Sequence, residues 1–124
     1  MGVKAVAIRH VREPEEFMTP ENCSILESWN SEADSAVSIA RARVKPGEST
    51  KLHRVRGLIE RYLIVAGHGI ATIGGAKAEI VGPGDVVVIP PGVTQKILND
   101  GPEDLIFYCI CSPRFVWEAY EQLE

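Results

Sequence analysis

Aromatic residues make up only 6% of the 124-residue sequence, and cysteine occurs three times. No apolar run approaches the roughly 20 residues that a membrane-spanning helix needs, so no membrane partner is expected. Basic residues are in deficit as well: 13 Lys and Arg face 17 Asp and Glu, for a net charge of −4. Nucleic acid and anionic lipid both require clustered Lys and Arg, which excludes either as the main partner. Residues 1–12 lack the layout of a secretion signal, because Lys4, Arg9 and His10 interrupt the apolar positions, and the cytoplasm is the expected location. An odd number of cysteines without such a signal points to free thiols at Cys23, Cys109 and Cys111. Cys109-Ile110-Cys111 sets two thiols on one face of a strand, yet no second pair completes a zinc ribbon. They read as small apolar core residues, with a soft-metal or redox role as the alternative.

What is present is an ordinary globular composition, 45% apolar and 24% charged, in a length that suits one domain with its own core. Residues 1–124 are therefore read as a single domain. Strand signals dominate, from a weakly alternating run at residues 3–8 to a β-branched run at 86–89. Other strands are expected at 24–29, 36–44, 50–55, 59–66, 70–73, 77–81, 94–98 and 105–111. Pro46-Gly47, Gly67-His68-Gly69, Gly74-Gly75, Gly82-Pro83-Gly84 and Pro90-Pro91-Gly92 punctuate them as turns. Residues 13–22, with Pro14 and Pro20, read as a loop or a short helical turn. Residues 114–123 read as a short C-terminal helix packed back through Phe115, Trp117 or Ala119, and Tyr120. Short strands with turns this frequent indicate an all-β barrel or sandwich.

Two segments carry spaced motifs. Residues 47–67 read Gly47-x5-His53-x-Val55-x4-Glu60-x6-Gly67, and residues 84–99 read Gly84-x5-Pro90-x-Gly92-x2-Gln95-x3-Asn99. The pair resembles the two motifs of the cupin superfamily, in its small single-domain form, with the glycines, the proline and the asparagine in register. That resemblance implies a double-stranded β-helix, or jelly-roll, barrel with a pocket between its sheets. It also implies a divalent-metal site (Zn, Mn, Ni or Fe) on His53, Glu60 and Gln95, and a homodimer. The set is altered: valine stands at 55 and glutamine at 95, where the family usually has its second and third histidines.

Strand alternation supports the convergence. His53 and Val55 share one face, opposite Leu52, Arg54 and Arg56, while Glu60, Tyr62 and Ile64 share another. Buried polar groups need partners, so His53, Glu60 and Gln95 must hold either an ion or one another. Val55, Tyr62 and Asn99 are the expected walls of a pocket for a small-molecule ligand. Arg54, Arg56 and Arg61 are expected outside or at the rim, Lys51 at the rim, and His68 in solvent. Leu63 and Val65 offer outward apolar surface for a second copy. Two functions follow. One is a metal-dependent isomerase or lyase acting on a small polar molecule such as a sugar derivative or organic acid. The other is a non-catalytic ligand-binding or dimerisation module with a metal-free site.

Overall fold

The computed structural model describes residue 3 and residues 5–124, and its regular structure is almost wholly β. One antiparallel sheet runs β1 (Phe17–Met18), β2 (Ser24–Ser31), β3 (Asp34–Val44), β10 (Leu105–Ser112), β5 (Ile59–Ala66) and β8 (Val86–Ile89). The facing sheet runs β11 (Tyr120–Gln122), β4 (His53–Val55), β9 (Gln95–Leu98), β6 (Gly69–Ile73) and β7 (Glu79–Val81). This is the expected jelly roll. Among the described residues no helix is long and apolar enough to cross a membrane.

The core forms where period-two alternation turns apolar side chains between the sheets. β5 buries Glu60, Tyr62 and Ile64, β10 buries Leu105, Phe107 and Cys111, and β9 buries Gln95 and Ile97. Tyr62 packs on Phe107 with ring centroids 4.4 Å apart. Register then sets neighbours across the strands: Glu60 lies opposite Cys111, Tyr62 opposite Cys109, and His53 opposite Gln95. The apolar residues left outward include Val65 on β5 with Val86 and Val88 on the adjacent β8, whereas Leu63 is half-buried.

The turn glycines sit where side chains would not. Gly67 has φ +74°, and a Cβ there would lie 2.4 Å from the Asp104 carbonyl oxygen. That close approach lets the β5–β6 turn seat against the start of β10.

Three expectations are corrected. The C-terminal helix is only a 3-10 turn at Trp117–Ala119, and the chain continues as β11. Phe115, Trp117 and Ala119 alternate by two as readily as they fit a helix, and the free edge of β4 offers unpaired backbone groups that decide between them. The Arg56 N–H donates to the Ala119 carbonyl (2.9 Å), and the Leu123 N–H to the Leu52 carbonyl (2.8 Å). At the other end, Lys4 of the 3–8 run lies outside the described residues. Val3 and residues 5–8 form no strand, and Val6 is 97% exposed.

The third correction is Asn99, which belongs to the scaffold and not to a pocket wall. It is fully buried and donates its amide to the Val44 and Glu103 carbonyls, both at 2.8 Å. Its Oδ1 accepts the Gly101 N–H at 3.0 Å. These bonds clamp the β9–β10 turn onto the end of β3. Asn99→Ala removes all three and leaves the buried Val44 carbonyl without this partner, so it is expected to cost about 1–3 kcal/mol in urea unfolding.

Candidate small-molecule site

His53 and Val55 on β4, Glu60 on β5 and Cys109 and Cys111 on β10 turn into one cavity between the sheets. It leaves about 70 Å³ for the centres of water-sized molecules. Phe17, Phe115, Trp117 and Tyr120 surround that mouth, and Glu21 reaches in from the loop before β2.

The loop holds Glu21 in place through its backbone. Thr19 closes a tight turn, with both its N–H (2.9 Å) and its hydroxyl (2.7 Å) donating to the Cys23 carbonyl. Asn22 takes φ +66°, a left-handed conformation that asparagine tolerates. The Lys51 peptide then ties the loop to β4. Its N–H donates to the Glu21 carbonyl at 3.0 Å, and its own carbonyl accepts from His53 Nδ1 at 2.6 Å. A carbonyl only accepts, so Nδ1 carries the hydrogen and Nε2 is the working nitrogen of the ring.

That nitrogen lies 3.2 Å from Glu21 Oε2. The contact is close but not aligned as a hydrogen bond, and Oε2 has no other partner. Burial pushes the Glu21 carboxyl up to about 7, with the neighbouring Tyr120 hydroxyl and Cys23 thiol pulling it down. The His53 ring also stacks obliquely on Tyr120, with centroids 5.3 Å apart.

A second polar chain runs behind the cavity. The Tyr62 hydroxyl donates to Gln95 Oε1, and Gln95 Nε2 donates to Glu60 Oε1 at 2.9 Å. Burial raises the Glu60 carboxyl, and the charge of Glu21 raises it further, against the Gln95 amide and His53. Burial likewise pushes the Cys111 thiol up to about 12 and lifts Cys109 well above its ordinary range. Both stay protonated thiols at neutral pH, in keeping with an unreactive role as wall residues.

Gln95 lies opposite His53 across β4 and β9 and bonds Glu60, behind the cavity that His53, Glu60 and Val55 line, with Tyr62 behind Gln95 in turn. The arrangement does not fit a divalent ion. Both ends of the Gln95 amide are engaged, and turning its oxygen to an ion would strand the Tyr62 hydroxyl in the core. Val55 supplies no donor, and His53 Nε2 faces Glu21. Among the described residues no three His, Cys, Asp or Glu groups gather as an ion-binding cluster.

The arginines stand apart. Arg54 and Arg56 pair with Glu121 outside the barrel, and Arg61 donates to the Ser112 hydroxyl at 2.8 Å. His68 is exposed beside Gly82. The sequence reading missed Glu21 and the aromatic mouth. Glu21 is 32 positions from His53 in a loop, where no strand period marks its direction, and only the Thr-Pro-Glu-Asn turn signal pointed to a structured segment there. The mouth was hidden by reading residues 114–123 as a helix.

A family model described as a cupin domain matches residues 40–111. An uncharacterized protein of Methanocaldococcus jannaschii is 38% identical over 87 residues, which cover 70% of this chain and 69% of that protein. An oxalate-binding protein of Thermotoga maritima is 35% identical over 71 residues, which cover 57% of this chain and 58% of that one. The crystal structure of a predicted oxalate decarboxylase from Thermotoga maritima superposes with a TM-score of 0.72 and 27% identity, covering 85% of this chain and 99% of that one. The Streptomyces nucleoside dehydratase Pac13 superposes with a TM-score of 0.76 at 13% identity, covering 95% of this chain and 92% of that one, a likeness of fold alone.

Proposed function

The chain belongs to the cupin family, and from that footing we propose that its barrel is a small-molecule site performing lyase or isomerase chemistry by proton transfer, without a resident metal. The observation that carries this reading is the His53–Glu21 contact on the cavity floor. His53 Nδ1–H is committed to the Lys51 carbonyl, so Nε2 is free to take a proton and lies 3.2 Å from the Glu21 carboxyl, which burial raises to about 7. A pair holding one proton near neutral pH can take another from carbon or give one up, as general acid–base catalysis requires.

Glu60 supplies the complementary group. Its raised carboxyl favours the protonated form, and Gln95 Nε2 fixes one oxygen so that the other is free to face the cavity. In a dehydration, the pair takes the proton from the substrate carbon, the carbon–oxygen bond breaks, and Glu60 protonates the departing hydroxyl to give water. In an isomerisation, Glu60 protonates the carbonyl oxygen while the pair moves the carbon-bound proton.

The test is deuterium wash-in from D2O, followed by NMR on a panel of small hydroxy- and oxo-compounds. The protein is expected to exchange a carbon-bound proton in a subset of them. His53→Gln keeps a polar side chain beside Lys51 yet should slow exchange about 10²- to 10⁴-fold with the barrel intact. Exchange in no compound, or undiminished exchange by the variant, would sink the reading.

Metal dependence gives a separate check. Added zinc, manganese, nickel or iron(II) is expected to leave the melting temperature of the native protein unchanged. The double variant Val55→His/Gln95→His places two imidazoles beside His53 and Glu60. Metal at about 100 times its dissociation constant should then add about 2.7 kcal/mol over its own metal-free form, on the order of 10 °C in melting temperature. A shift of that size in the native protein would show that the Gln95 amide does turn to an ion.

A further inference from the structure

We propose that the cavity takes a small organic cation, an amine or alkylated ammonium group seated between the acidic floor and the aromatic mouth. This rests on the reading of the cavity as a ligand site and names the class of ligand it selects.

The cavity walls carry acids and one imidazole, His53, and among the described residues no permanent cation. Glu21, Glu27 and Glu60 line the cavity, whereas among the described residues no Lys or Arg lines it. Four arginines on or beside these strands are held by carboxylates, and Arg61, beside Glu60 on β5, is held by the Ser112 hydroxyl. Arg41 and Arg43 pair with Glu13, Glu16 and Asp104, and Arg54 and Arg56 pair with Glu121. Those four arginines are committed to carboxylates away from the cavity, whereas Glu60 is buried and Glu21 mostly buried in its wall, and Glu27 is an exposed part of it. An anionic ligand would meet carboxyl groups with no permanent positive partner, whereas a cation would favour the ionised form of Glu21, whose Oε2 accepts no hydrogen bond.

The mouth points the same way. Phe115 and Trp117 meet edge to face, with centroids 5.0 Å apart and planes at 85°, and Trp117 and Tyr120 at 5.4 Å and 71°. Rings set nearly at right angles meet like the walls of a box, so that their faces cannot all lie against one another. Aromatic faces attract cations, most strongly when the cation has shed water, and alkylated ammonium groups shed it readily. Trp117 remains 50% exposed, so part of its ring stays open to a ligand. Ile25, Ala40 and Val55 supply the apolar contact that the methyl or methylene groups of such a cation require. In the proton-transfer reading, the positive group anchors the substrate while Glu21, His53 and Glu60 act on a neighbouring carbon.

Binding to the protein would be followed by calorimetry and tryptophan fluorescence with three probes. They are choline, its uncharged isostere with carbon in place of the ammonium nitrogen, and oxalate. Choline is expected to bind, the isostere at least about ten-fold more weakly, and oxalate not at all at millimolar concentration. Trp117→Leu should weaken choline by about ten-fold or more, and Trp117→Tyr should restore most of the loss. An isostere that binds as tightly as choline, or oxalate binding more tightly than either, would overturn the cation assignment. So would a failure of choline to bind. If deuterium wash-in persists in any of those cases, the proton-transfer reading survives the loss of this one. If wash-in fails while choline binds, the cation site stands and the catalytic reading falls.

Discussion

Gln95→Leu is expected to destabilise the barrel by about 3 kcal/mol, although the new side chain is apolar and of similar volume. Gln95 is fully buried, and its amide is the middle link between the Tyr62 hydroxyl and the Glu60 carboxyl. Leucine fills the space but strands a buried hydroxyl and a buried carboxyl, and each orphan costs more than an ordinary hydrogen bond contributes. For a domain of this size the melting temperature should fall on the order of 10 °C. The mechanism is separable from simple packing by a double-mutant cycle. Tyr62→Phe should cost less in the Gln95→Leu background than alone, by about 1 kcal/mol, because the hydroxyl it removes has already lost its acceptor. Strictly additive effects would mean that the chain of bonds is not formed. A metal-ligand role for Gln95 predicts a different pattern, in which added ion decides the stability of the native protein and Tyr62 is irrelevant.

The legibility of this molecule in its sequence divides by how each residue is positioned. Residues on strands were readable because alternation fixes their direction: His53 with Val55, and Glu60 with Tyr62, face inward as the period requires. Turn chemistry was readable too, since Gly67 sits where a Cβ would strike the Asp104 carbonyl. Asn99 was placed correctly in the chain and wrongly in the site. A buried amide serves a backbone clamp and a ligand pocket with the same chemistry, and only its partners Val44, Glu103 and Gly101 tell them apart. Glu21 and Tyr120 were not readable as site residues, because nothing local aims them. Glu21 is brought to His53 by a peptide that bonds to both, and Tyr120 by the demand of the β4 edge for a partner strand. Both contacts join segments distant in sequence.

Glu21→Gln should make the protein more stable above neutral pH while removing its proton chemistry. A carboxyl raised from its ordinary 4.5 to about 7 by burial keeps its proton in the folded state at pH values where the unfolded chain has released it. Folding then binds a proton, so stability falls as pH rises from about 4.5 to about 7, and the loss is complete above the folded value. A shift of that size corresponds to about 3 kcal/mol. Glutamine has nearly the same shape and never ionises, so the variant escapes this term. The native protein and the variant should melt together near pH 4. By pH 8 they should separate by on the order of 10 °C, with the variant higher. Glu60, raised in the same direction by burial, leaves a slope of the same sign in the variant. Parallel pH profiles for the two proteins would show that Glu21 ionises as freely in the barrel as in water. A side chain that weakens the fold at neutral pH, where its amide counterpart would not, is explained by what it does beside His53 and not by what it holds together.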